Sequence, residues 1–304
     1  MEKNNTIIEL IKEMTLEEKA RLLSGSESMR TMAIERLGIP AAKMADGPHG
    51  IRGDADKNHT SFPNLCCLGA SWDVDMAYKM GEALGNECAE NDISMLLAPG
   101  INIKRHILCG RNFEYLSEDP VLAGELGAAY INGLQSKGVG ASLKHFACNN
   151  QEKDRTMVSA DIDERTLREI YLKGFEICVK ESRPINLMTS YNKINGVWGH
   201  YHYDLVQTIL RGEWDYKGLV ITDWWMQYAA SPEFPKLTGN GYRVRAGVDV
   251  LMPGSRSFPD KRRKPDGTLL ATYEKPDGIT LGEMQKCAKR VLRFILSIRS
   301  APLE

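Results

Sequence analysis

With 304 residues, 42% of them hydrophobic and 26% charged, the chain has a globular composition and room for one large α/β barrel or two ordinary domains. A formal net charge of -1 argues against nucleic acid as a partner, and no stretch approaches the ~20 apolar residues of a membrane span. Seven cysteines at irregular spacings match neither a zinc site nor a disulfide framework, and the polar N-terminus has no signal architecture, so reduced thiols in a cytoplasmic protein are expected.

The first helix signal is Thr15 followed by Glu18, a capping box ahead of "EEKARLL" that ends at Gly25. "GIPAAKMADGPHGIR" then reads as a short strand ending at Asp46 and broken by Gly47-Pro48. From Asp73 the periodicity is helical, with Met76, Met80, Ala83, Leu84 and Cys88 expected on one face. Apolar runs follow at "SMLLAPG" (94–100), "VGASLKHF" (139–146), "INLMTSYN" (185–192), "GLVITDWW" (218–225) and "GVDVLMPG" (247–254). Helical stretches near 119–137, 163–182, 202–213, 235–246 and 280–298 separate or follow them. Short buried strands alternating with helices mean βαβ units and a parallel sheet.

Strand after strand ends in polar residues, and in a TIM-type (β/α)8 barrel that end is where active sites are built. A doubly wound sheet would gather its ligand at one switch point, so chemistry spread over five strand ends favours the barrel. Residues 254–278 carry "KPDG" twice around "TLLATYE" and read as an irregular excursion with one extended run, either the last barrel strand or a surface hairpin. The basic run Lys261-Arg262-Arg263-Lys264 sits between prolines and reads as a solvated loop.

Asp223, at a strand end beside two indoles, suits a nucleophile or charge stabiliser facing a sugar ring, with a helix-capping aspartate as the plain alternative. Asp46 before a forced turn suits acceptance of vicinal hydroxyls, or an ordinary Asx-turn. Lys144-His145 offer donors to hydroxyl oxygens, and Arg111, in "GRNFEYLSEDP", needs a polar partner that Glu114, Glu118 or Asp119 can supply. No phosphate-binding loop, dinucleotide fingerprint or serine nucleophile elbow occurs, and His200-Tyr201-His202 lacks a third ligand at metal spacing, so no cofactor is expected.

Taken in order, "MADGPHGIR" (44–52), "LLAPGINIKR" (96–105), "GRNFEYLSEDP" (110–120), "KHFACNNQE" (144–152) with Arg155, "LMTSYNKING" (187–196), "GLVITDWW" and "AGVDVLMPG" (246–254) resemble the barrel domain of glycoside hydrolase family 3, the β-glucosidase-like retaining glycosidases. The resemblance implies that Asp223 is the catalytic nucleophile. It implies that Asp46, Arg111, Lys144, His145, Met188 and Tyr191 line the pocket for the non-reducing sugar, with Trp224 as an aromatic wall; Trp225 is then expected to pack. Retaining hydrolysis also needs a second carboxyl group about 5–5.5 Å from the nucleophile. In most members that resemble this chain, the acid/base sits in a separate α/β sandwich domain. A barrel-only branch uses a His with an Asp in the loop after the Lys-His strand. The equivalent loop here, 147–163, contains no histidine, and the family pattern gives Glu152 and Asp154 no such role. The expectation is one barrel domain over residues 1–304 acting on a β-glucoside or related oligosaccharide, its acid/base supplied by a companion domain or subunit. Alternatives from other classes are a non-hydrolytic sugar-binding barrel and an aldolase using Lys144 as a Schiff base.

Overall fold

The computed structural model describes residues 2–52, 58–226, 241–254, 265–276 and 278–298. The chain forms two compact units: residues 44–199, and residues 1–43 together with 200–300.

In the 44–199 unit, strands Met44–Asp46, Met95–Leu97, Gly140–Phe146 and Asn186–Thr189 run parallel and pair in chain order. Every residue of Gly140–Phe146 is buried, which explains the small and apolar residues of 140–143 and leaves Lys144 and His145 as buried polar groups that need partners. Helices Val74–Glu90, Pro120–Gln135 and Lys173–Ser182 connect or follow these strands. Asp73 caps the first by accepting from the Met76 amide at 2.9 Å, and Asp119 caps the second by accepting from Val121 and Leu122 at 2.8 Å each.

The buried face of Val74–Glu90 keeps Met80, Leu84 and Cys88 of the expected set but not Met76 or Ala83. Ala77, Met80, Gly81, Leu84, Gly85 and Cys88 are inward, while Met76 is about half exposed. Glycines set this face: a Cβ on Gly81 would lie 2.1 Å from the Tyr130 carbonyl oxygen, and one on Gly133 would lie 2.0 Å from that of Tyr78. The two helix backbones touch there, so the contact carries no large side chain to read from the sequence. After the Asn186–Thr189 strand, Lys193–Ile194 and Val197–Trp198 form an antiparallel hairpin. Its two-residue turn, Asn195-Gly196, has φ of 48° and 84°, the left-handed pair that Asn-Gly favours.

In the other unit, Leu16–Leu22 carries the expected capping box, with Thr15 and Glu18 exchanging bonds of 2.9 and 3.1 Å. A helix at Glu2–Glu13 precedes it, burying Ile7 and Ile11. The strand Leu219–Ile221 is fully buried. "GVDVLMPG" makes no regular strand among the described residues; it contributes single parallel bridges, Val250 to Ile221 and Leu251 to Ser24. Asp204–Glu213 is a π-type helix in which the Trp214 amide bonds the Ile209 carbonyl at 3.0 Å. Leu281–Ile298 closes the described chain as a helix with Met284, Cys287, Ala288, Val291, Leu292, Phe294 and Ile295 buried.

The expected extended run near the C-terminus is instead a helix, Pro265–Thr272. Proline at the first helical position has no intrahelical amide to lose and a fixed, helix-compatible φ, so the first "KPDG" starts a helix rather than a hairpin turn. Of the expected 235–246 helix, Gly241–Arg245 is helical and 235–240 lies outside the described residues, as does the basic run 261–264. All seven cysteines are free thiols; Cys66 and Cys67 are exposed and the other five buried.

Candidate active site

The C-terminal ends of the parallel strands in the 44–199 unit gather most of the expected site residues. Asp46 ends its strand, and the turn after it demands glycine: Gly47 has φ 126°, and a Cβ there would lie 1.7 Å from the Gly50 carbonyl oxygen. The Arg52 amide donates to the Asp46 carbonyl at 2.8 Å and fixes the return of the loop. Lys144, buried, donates to Asp46 Oδ1 at 3.0 Å and approaches Glu114 Oε2 at 3.8 Å. Glu114, only 4% exposed, is also ion-paired with Arg111. Of the three acids in reach of Arg111 by sequence, Glu114 is the partner, Asp119 caps a helix and Glu118 is exposed. A buried carboxylate thus joins two cations, and one of them holds a second carboxylate at the strand mouth. Burial alone would raise the Asp46 carboxyl, but the charge and hydrogen bond of Lys144, the Gly47 amide and Arg111 hold it below its ordinary value.

His145 is buried, with its backbone amide bonded to Asn102 Oδ1 at 2.8 Å and its carbonyl to Asn102 Nδ2 at 2.9 Å. Burial first, then the charges of Arg111, Lys144 and Arg155, push its imidazole well below the ordinary range, so it is neutral. Its Nδ1 lies 3.1 Å from the Tyr115 hydroxyl. Met188 is buried within its strand. Tyr191 follows the strand end, with the Arg155 guanidinium 4.4 Å above its ring centroid. Tyr115, Asn149, Glu152 and Arg155, none of them singled out as site residues from sequence, link His145 to Tyr191 by direct contacts.

Asp223 and Trp224 belong to the other unit. Asp223 is 7% exposed, and its Oδ1 accepts from the Trp224 amide at 2.6 Å. Trp224 is buried, and its Nε1 donates to the Ser28 carbonyl at 2.8 Å. Trp225, expected to pack, is the exposed indole, at 41%, with φ 62°.

The strand bearing Asp223 is tightly held. Asp249, fully buried, accepts from the Val220 amide at 2.9 Å, from Arg211 at 3.0 Å and from Arg290 at 2.7 Å. The Thr222 amide donates to the Val250 carbonyl at 3.0 Å, and Thr222 Oγ1 accepts from the Met252 amide at 2.9 Å.

The family model for the glycosyl hydrolase family 3 N-terminal domain matches residues 3–293. Thermostable beta-glucosidase B of Acetivibrio thermocellus is 47% identical over 266 residues, which are 84% of this chain and 34% of that protein. An exo-alpha-(1->6)-L-arabinopyranosidase of Bifidobacterium breve is 39% identical over 303 residues, 96% of this chain and 37% of that one. Among solved structures, beta-glucosidase 3B of Thermotoga neapolitana in complex with glucose superposes with a TM-score of 0.87 at 36% identity, covering 96% of this chain and 42% of that one. The chain therefore spans about a third of the length of the curated relatives it matches. Residues 3–293 make this chain a member of glycosyl hydrolase family 3, carrying its N-terminal domain with the TIM-type barrel fold.

Proposed function

We propose that this chain is the nucleophile-bearing domain of a retaining β-glycosidase that removes terminal non-reducing β-D-glucosyl residues. The observation that carries the reading is the buried cluster of Asp46, Lys144, Glu114 and Arg111 beside a neutral His145, at parallel strand ends in a family 3 chain. A polyol needs donors and acceptors at close quarters. Lys144 and Arg111 supply donors, Asp46 supplies an acceptor, and neutral His145, its Nδ1 taken by the Tyr115 hydroxyl, supplies its Nε2. Asp223, assigned by the family resemblance, attacks the anomeric carbon; a covalent glycosyl-enzyme forms and water hydrolyses it with retention. Trp224 is the assigned aromatic wall, and Met188 and Tyr191 complete the sugar's surroundings.

Retention also needs an acid/base, which the family resemblance places outside the barrel domain. Both oxygens of Glu152 are engaged within the 44–199 unit, Oε2 by Arg155 at 2.8 Å and Oε1 by Asn149 at 3.3 Å. We assign the proton donor to a companion α/β sandwich domain or subunit, as the greater length of the relatives allows. The relatives carry both glucosidase and arabinopyranosidase names, and glucose is favoured here because the solved neighbour holds it.

Leaving-group dependence tests the reading. A β-glucoside with an acidic phenol as leaving group should be turned over by the chain alone, because the first step needs little protonation, while cellobiose should be cut at least ~100-fold more slowly than by a complete relative. Equal loss on both substrates would overturn it.

A further inference from the structure

We propose that Glu152 is a positioning residue that, acting through Asn149 and Tyr115, holds His145 as the Nε2–H tautomer and makes it a hydrogen-bond donor from Nε2. Glu152, Asn149, Tyr115 and His145 form one connected line in the 44–199 unit. Asn149 Nδ2 lies 3.3 Å from Glu152 Oε1 and 3.0 Å from the Tyr115 hydroxyl oxygen. Rotating that amide would set its oxygen against the Glu152 oxygen, and a carboxylate accepts only, so Glu152 fixes the NH2 group at this place. Arg155 donates to the other carboxylate oxygen, Glu152 Oε2, at 2.8 Å, which holds the carboxylate in place and leaves Oε1 to accept from Asn149.

With an NH2 group on one side, the Tyr115 oxygen must accept there. Its own proton then needs an acceptor, and the one within reach among the described residues is His145 Nδ1, 3.1 Å away. Tyr115 is fully buried and burial pushes its phenol well above the ordinary value, so that proton stays on the oxygen. A neutral imidazole that accepts at Nδ1 carries its proton at Nε2. Direction is thereby imposed along the chain: Asn149 donates to Tyr115, Tyr115 donates to His145, and His145 donates onward. The same acid steadies Arg155, whose guanidinium covers the Tyr191 ring at 4.4 Å, so one carboxylate orients residues past two successive strands.

This inference rests on the proposed sugar-binding reading only for what Nε2 donates to, a hydroxyl oxygen of the sugar. The tautomer itself is independent of it. The test is long-range proton–nitrogen NMR on the 304-residue chain labelled at its six histidines, with the His145 signals identified by their loss in His145→Gln. The expected wild-type result is Nδ1 unprotonated and Nε2 protonated from pH 8 to pH 5.5. Glu152→Ala should release the Asn149 amide to turn its oxygen toward Tyr115, and Asn149→Asp should impose an acceptor there. In both variants the Tyr115 proton reverses and the Nδ1–H form of His145 becomes the major one, with Tyr115→Phe giving a mixture. A wild-type signal protonated at Nδ1 would overturn the proposal whether or not any variant folds. An unchanged tautomer in a folded Glu152→Ala would overturn the role of Glu152. Titration with glucose separates the two readings: a correct tautomer with no glucose binding refutes the sugar site and leaves the hydrogen-bond chain standing.

Discussion

Replacing Asp249 by asparagine removes one charge from the centre of a buried network while keeping its shape. Asp249 is fully buried and its carboxylate serves two guanidiniums, Arg211 at 3.0 Å and Arg290 at 2.7 Å, whose side chains are 9% and 15% exposed. Removing one partner from a buried ion pair costs about 3–5 kcal/mol, because a charge is left without compensation. Two cations are stranded here, which raises the cost, while their slight exposure and the retained Asn oxygen lower it. About 3 kcal/mol is expected, a large share of the ~5–15 kcal/mol that holds a domain folded. With a urea slope near ~3 kcal/mol/M for a chain of this size, the midpoint should fall by about 1 M. The assay is equilibrium urea unfolding followed by tryptophan fluorescence. The Val220 amide also bonds Asp249, so the strand leading to Asp223 should exchange its amide protons faster in the variant. A midpoint within ~0.2 M of wild type, with an unchanged slope, would refute the reasoning that this network fixes the strand.

His200 is buried, neither ring nitrogen has a hydrogen-bond partner among the described residues, and burial, then Arg243, lowers its pKa to about 3. The unfolded chain therefore takes up a proton near pH 6.5 that the folded chain refuses until about pH 3, so stability falls as pH falls through that window. Between pH 7 and pH 4.5, wild type should lose about 2–3 kcal/mol relative to His200→Leu in parallel denaturant titrations, and parallel pH curves would contradict this. Gly47→Ala places a Cβ against the Gly50 carbonyl oxygen and should lower glucose affinity in calorimetry at least ~10-fold by displacing Asp46; unchanged affinity would show that the turn does not set the site. A thiol reagent applied to the native chain should label Cys66 and Cys67 and spare the five buried cysteines, as counted by intact mass.

Much of this architecture is legible in the sequence because its signals are local. A buried parallel strand is a short apolar run, and a polar residue at or near its end, as at Asp46, Lys144 or Asp223, marks the rim where the proposed site lies. The capping residues Thr15, Asp73 and Asp119 act within three positions of themselves. What escaped reading depends on distance or on absent side chains. Tyr115 meets His145 across 30 positions and Asn149 meets Tyr115 across 34, separations that no window spans. The helix contact built on Gly81 and Gly133 has no apolar residue to announce it. Asn195-Gly196, flanked by Ile194 and Val197-Trp198, is a readable hairpin signal, but its strands of two residues each are too short to show an alternating pattern. Near the C-terminus, Pro-Asp-Gly fits a turn and a helix start equally well, and only tertiary packing chooses.

The central claim is that Asp223 is the nucleophile of a retaining glycosidase, and covalent trapping addresses it most directly. The chain is incubated with a 2-fluoro glucoside carrying an activated leaving group, followed by intact-mass analysis and peptide mapping. The expected result is one added fluoroglucosyl mass, located on the peptide holding "GLVITDWW" at Asp223 and abolished in Asp223→Asn. No adduct, under conditions that label a complete relative fully, or an adduct mapped to another carboxylate such as Glu152, would contradict it.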